Sequence, residues 1–203
     1  MASMTEAQAG SRPEGLRERK KARTRAAIRE HALRLFREQG YDSTTVEQIA
    51  EAAEVSPSTF FRYFPTKEDV VLQDDFDPIA IAKFEALPAD MHPVAALRTA
   101  VREAFAEAPP WQLEQFRELN RLTMSVPELR ARALDEYLRS VRLAADLLAK
   151  RLGRDPSDIA IRTMAGAVVG VGLSALVAGM EDPETDVIAL MDAGLARLEA
   201  LPL

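Results

Sequence analysis

Between Ser56 and Lys67 the chain gathers side chains suited to contacting a polyanion. Ser56, Ser58 and Thr59 carry hydroxyls, Arg62 a guanidinium, Lys67 an ammonium, and Phe61 and Tyr63 aromatic rings. Hydroxyls and Arg reach phosphates or base edges, an exposed Phe can touch a thymine methyl, and a helix N-terminus attracts phosphate. Covalent and metal chemistry are poorly supplied. There is no cysteine, and His31 and His92 are the two histidines, so thiolate chemistry, disulfides and transition-metal sites are not expected. Gly172-Leu173-Ser174-Ala175-Leu176 lacks the second glycine of a nucleophile elbow. We expect no catalytic residue, no metal and no cofactor.

Charge distribution supports the polyanion. The net charge is −6, which argues against nucleic acid only if it is uniform. From Arg12 to Arg37 there are ten Lys and Arg against three Glu, whereas the chain beyond Glu68 carries a net −8. A basic head on an acidic body implies docking at one end.

The elements that must position these groups are helices, since Ala, Leu, Arg and Glu abound and no stretch alternates β-branched residues with period two. A first helix is expected over Leu16–Gln39, with Ile28, Ala32, Leu35 and Phe36 on one face and Gly40 closing it. Thr44 with Glu47 reads as a capping box for a second helix whose Val46, Ile49, Ala50 and Ala53 are spaced for burial. Ser56 as N-cap and Pro57 in the first turn open a third helix, which Pro65 stops. There Phe60 and Phe64 point inward, which leaves Ser58, Thr59, Phe61, Arg62 and Tyr63 outward. Thr66 with Asp69 opens a fourth helix, interrupted or kinked near Asp77-Pro78 and ending around Pro88. Proline and glycine punctuation gives further helices at about 93–108, 110–123, 127–152, 156–180 and 184–200. The expected fold is all-α with about nine helices: a disordered arm over 1–15, a three-helix unit over 16–66, and a helical body over 67–203.

A short helix, a tight turn and a second short helix behind a basic helix is the layout that carries a helix N-terminus into the major groove of double-stranded DNA. Thr44-Thr45-Val46-Glu47-Gln48-Ile49-Ala50, followed by Val55-Ser56-Pro57-Ser58-Thr59-Phe60-Phe61-Arg62-Tyr63-Phe64-Pro65-Thr66-Lys67-Glu68-Asp69, resembles the tetracycline-repressor-like (TetR) family over about residues 17–75. The resemblance implies a dimeric, cytoplasmic, one-component transcriptional repressor released from a palindromic operator by a small molecule, with a helix-turn-helix DNA-binding domain over 16–66 and a helical ligand-binding and dimerisation domain over 67–203. It also implies that Thr45, Ser58, Thr59, Phe61, Tyr63 and Lys67 contact operator DNA, with Tyr63 and Lys67 on phosphates. Glu54 departs from the pattern, because that turn position usually carries glycine; a side chain there is strained if φ is positive.

In the C-terminal part, Phe105, Trp111, Phe116, Met124, Tyr137 and Met164 are the residues best able to line an apolar cavity between helices, although such residues more often form plain core. Gln115, Asn120 and Arg121 could orient a polar or anionic group, and we assign Asn120 to the ligand's head. Phe76-Asp77-Pro78, with Trp111 and Phe116 further on, resembles a subgroup with acyl-CoA-like ligands, so the expected effector is hydrophobic.

Thr163 to Met180 is uncharged and rich in small residues. It reads better as a homodimer seam, formed by residues 156–180 and 184–200, than as a membrane span. Gly170-x-Gly172-x-x-Ala175 imitates a dinucleotide fingerprint but lacks the strand that such a motif follows. Asp74, Asp75 and Asp77 read as a solvated acidic turn. Two rival functions remain at this point, a helical protein-binding adaptor without a DNA site and an enzyme acting in the helical body.

Overall fold

The computed structural model describes residues 12–73, 76–182 and 184–200. Most of the expected arm at 1–15 lies outside the described residues, as do Asp74 and Asp75. Among the described residues there are no strands; nine helices of seven residues or more are joined by one single-turn helix. In order these are α1 (Arg12–Gln39), α2 (Val46–Ala52), α3 (Pro57–Tyr63), α4 (Asp69–Leu72), α5 (Asp77–Ala86), α6 (Pro93–Ala106), α7 (Pro110–Ser125), α8 (Pro127–Leu152), α9 (Ile159–Glu181) and α10 (Val187–Glu199). They form two compact units, which divide between Val70 and Val71 inside α4.

In the first unit, α1 to α3 enclose Ile28, Ala32, Phe36, Ile49, Phe60 and Phe64, all buried. Helix α1 starts four residues earlier than expected. Leu35 is half-buried on it, and Leu33 is buried instead. The cap of α2 also differs from the expectation. Thr45, not Thr44, is the N-cap, and Gln48, not Glu47, completes the capping box, with each side chain bonding the other residue's backbone N–H. Thr44 is buried and donates its hydroxyl proton to the Gly40 carbonyl at 2.8 Å. Shifting the frame by one residue exchanges an exposed cap for an interior tie between α1 and α2.

The expected fourth helix is two helices. Thr66 and Asp69 cap each other reciprocally to start α4, which ends after one turn. Pro78 then lies in the first turn of α5, where its missing N–H costs no intrahelical bond. Further along, Pro156 does not restart a helix. Asp155 accepts bonds from the Ser157 backbone and hydroxyl, and Asp158 caps α9 by accepting from the Ala160 N–H. Asp186 accepts from the Ile188 and Ala189 N–H groups and starts α10 three residues later than expected.

In the second unit, α9 packs between α8 and α10, with α6 on α10 and α5. The core is built from small and branched residues, including Ala96, Ala100, Leu148, Ile161, Ala165 and Leu195. Close approach of α9 and α10 requires glycine at 194, since a Cβ there would lie 2.5 Å from a Val171 methyl. Arg98 on α6 clamps α10 by two bonds of 2.8 Å to Asp192 and one of 3.4 Å to Glu199. A second cluster joins α5, α6 and α7. Phe76 stacks on Phe105 at 4.2 Å, and Phe116 meets both edge-on at 5.4 and 5.2 Å.

Candidate nucleic-acid interface and ligand cavity

The turn between α2 and α3 fixes the putting-forward of α3. Glu54 takes φ +55°; its N–H donates to the Glu51 carbonyl and the Val55 N–H to the Ala50 carbonyl. This is the left-handed helix ending that glycine normally fills. The condition under which a side chain at this position is strained, a positive φ, is met, and an exposed carboxylate sits in the turn.

Ser56 then caps α3, accepting from the Thr59 N–H at 3.1 Å and donating to the Thr59 hydroxyl at 3.0 Å. These two hydroxyls are thus committed first to each other. Phe60 and Phe64 are buried, and the remainder of the short helix faces outward: Ser58, Phe61 and Arg62 are exposed and Tyr63 is half-buried. Phe61 is 48% exposed while it packs edge-to-face on Phe60, so an apolar ring is held out rather than folded in. The Arg62 guanidinium lies 5.3 Å from the Tyr63 ring centroid. Thr45 is exposed at the start of α2.

Lys67 has a second occupation that the sequence did not disclose. Its ammonium donates to the Tyr41 and Thr44 carbonyls at 2.9 and 3.0 Å and stands 4.1 Å from the Tyr41 ring centroid. One of its three N–H donors remains for a phosphate. Arg29 was also missed: only 2% exposed, it donates to the Val70 carbonyl at 3.0 Å and lies over the Phe64 ring, as does Arg25. Within the basic run, burial cannot be read from charge. The signal was positional, since Arg29 falls between Ile28 and Ala32 on the apolar face of α1.

In the second unit, a cavity of about 270 Å3 opens beside α7 and the C-terminal end of α9. Three of the residues expected to meet a ligand line it, Phe116, Asn120 and Met124, joined by Leu176, Met180 and Val187. The other four do not line this cavity. Phe105 stands behind Phe116, Met164 belongs to the main core, Tyr137 is half-buried elsewhere, and Trp111 is 60% exposed in the first turn of α7. Asn120 donates one amide proton to the Phe116 carbonyl at 2.9 Å.

A capped, groove-sized helix held out from a small unit whose first helix is basic, with a separate helical unit that contains a cavity, defines a helix-turn-helix DNA-binding regulator. Residues 28–73 match the model of the bacterial regulatory proteins of the tetR family, and residues 91–201 match that of the MftR C-terminal domain. The chain belongs to the TetR family of transcriptional regulators. It is 41% identical over 152 residues to the HTH-type transcriptional regulator TcmR of Streptomyces glaucescens, covering 71% of this chain and 67% of that one. It is 27% identical over 190 residues to MftR of Mycobacterium tuberculosis, covering 89% and 95%. Among solved structures, the TetR-family repressor FadR of Thermus thermophilus, in complex with lauroyl-CoA, superposes with a TM-score of 0.54 at 27% identity, covering 88% of this chain and 96% of that one.

Proposed function

We propose that this regulator is a homodimeric repressor that reads a palindromic operator through α3 and leaves it when a small, largely apolar effector occupies the cavity of the second unit. The observation that carries the DNA-reading part is the outward face of α3, where Ser58, Phe61 and Arg62 stay exposed on a helix whose other side is core. Thr45 and Ser56 present the N-termini of α2 and α3, and Tyr63 and Lys67 anchor phosphates.

Dimerisation runs through α9 and α10. Leu173, Val177 and Met180 on α9 and Leu190 on α10 are each about two-fifths exposed, and a Cβ at Gly166 or Gly172 would meet open space. Nothing among the described residues of the protomer calls for glycine at those two positions, whereas a closely packed partner helix would. Ala175, expected at the seam from the sequence, is instead buried within the protomer. The α9 segment is long and apolar enough to cross a membrane by length and composition; its packing against α8 and α10 favours the helix-bundle reading.

Selection of duplexes from a random pool with the full chain, followed by mobility shifts across salt, tests the function. Enrichment of a two-fold symmetric sequence, bound with steep salt dependence, is expected. Failure to enrich any sequence would overturn it and favour a protein-binding adaptor.

A further inference from the structure

The cavity beside α7 carries two guanidiniums and no carboxylate on its lining, inside a portion of the chain that is otherwise acidic. Arg117 and Arg121 stand one turn apart, where like charges repel each other. Arg117 has one long ion pair, 3.4 Å to Glu114, between two exposed side chains, and such pairs contribute little. The Arg121 guanidinium makes no hydrogen bond or ion pair with the described residues. Glu118, between them on the helix, does not line the cavity. Thr185 also lines it.

Resting on the reading that this cavity is the effector site, we propose that the effector is an anionic amphiphile, whose acidic head is held at the rim by Arg117 and Arg121. Its apolar tail lies against Phe116, Met124, Leu176 and Val187. A guanidinium donates two parallel bonds to a carboxylate or phosphate, so two of them can answer about four acceptor sites, all those of a carboxylate or most of those of a phosphate. The volume of about 270 Å3 takes roughly nine water-sized groups, which corresponds to a medium-length chain.

Calorimetric titration of the full chain with decanoate, decan-1-ol and decyltrimethylammonium compares one tail with three head charges, and decanoyl-CoA adds a second source of the anion. Decanoate is expected to bind at least tenfold more tightly than decan-1-ol, with no binding of the cation. Arg117→Gln and Arg121→Gln, both on exposed positions, should each weaken decanoate about three- to tenfold and leave decan-1-ol unchanged. If decanoyl-CoA is preferred and shows the same arginine dependence, the anionic head stands and its source is the thioester's carrier. Equal binding of decanoate and decan-1-ol, or decanoate binding untouched in the double variant, overturns the anionic head and leaves the effector site in place. Arginine-dependent decanoate binding that does not change affinity for the selected duplex upholds the ligand class and overturns the effector reading. Absence of binding by every probe overturns both.

Discussion

The Lys67 ammonium bridges the Tyr41 and Thr44 carbonyls while covering the Tyr41 ring at 4.1 Å. The residue that follows the third helix thereby fixes the turn between the first two. A phosphate contact made by its remaining N–H would be preorganised by these bonds, because the side chain is already ordered before DNA arrives.

Lys67→Ala should therefore act twice. Loss of charge-assisted bonds to carbonyls is expected to lower unfolding stability by about 1–3 kcal/mol, and loss of one phosphate contact should reduce the salt slope of duplex binding by about one. Denaturant titration and mobility shifts measure the two effects separately. A variant of unchanged stability would contradict the bridge.

Glu54→Gly should stabilise the first unit by about 0.5–1 kcal/mol, because relief of a left-handed conformation outweighs glycine's larger unfolded-state entropy. Removal of the turn's carboxylate should also tighten binding to duplexes of any sequence. Chemical denaturation and binding to an unselected duplex check both; destabilisation would show that the side chain has an unrecognised role.

Ser58 and Ser56, two residues apart, should fail differently. Ser58→Ala is expected to change the selected operator, with a loss of about 1–3 kcal/mol at the affected base pair. Ser56→Ala removes the α3 cap and should cost about 1 kcal/mol of stability, which weakens all duplexes alike. Duplex selection with each variant separates them.

Gly170→Arg and Gly194→Ala test two different closeness constraints. A Cβ at 170 has only the Tyr137 hydroxyl nearby, at 3.9 Å, whereas one at 194 would collide with Val171. The arginine should produce folded monomers in light scattering by burying a charge at the proposed α9–α10 seam. The alanine should lower the melting temperature by forcing α9 and α10 apart.

The hydrogen bonds from Arg98, and secondarily its charge acting against partial desolvation, hold the Asp192 carboxyl below its ordinary 3.8. A depressed folded value means that the stabilisation is present above the unfolded value and disappears as pH falls through the folded one. Asp192→Asn should melt below the wild type near neutral pH, with the difference closing as pH falls below the carboxyl's ordinary 3.8 and through its lower folded value. A gap that persisted in acid would assign the effect to packing.

The all-α fold, the basic head and the order of α1 to α3 were legible in the sequence, because they rest on local rules. Apolar spacing at Ile49, Phe60 and Phe64, the Ser56-Pro57 start and the missing glycine at 54 each act within a few residues of themselves. Other features required tertiary structure. The choice of Thr45 over Thr44 as cap depended on the interior beside α1, where Thr44 is buried and bonds the Gly40 carbonyl. The burial of Arg29 depended on a carbonyl 41 residues away. The cavity drew Arg117, Leu176 and Val187 together from three helices and left out Trp111, which had the right chemistry for an apolar wall but points away. A side chain's local preferences say what it can do, and only the long-range packing of helices decides which of its neighbours it meets.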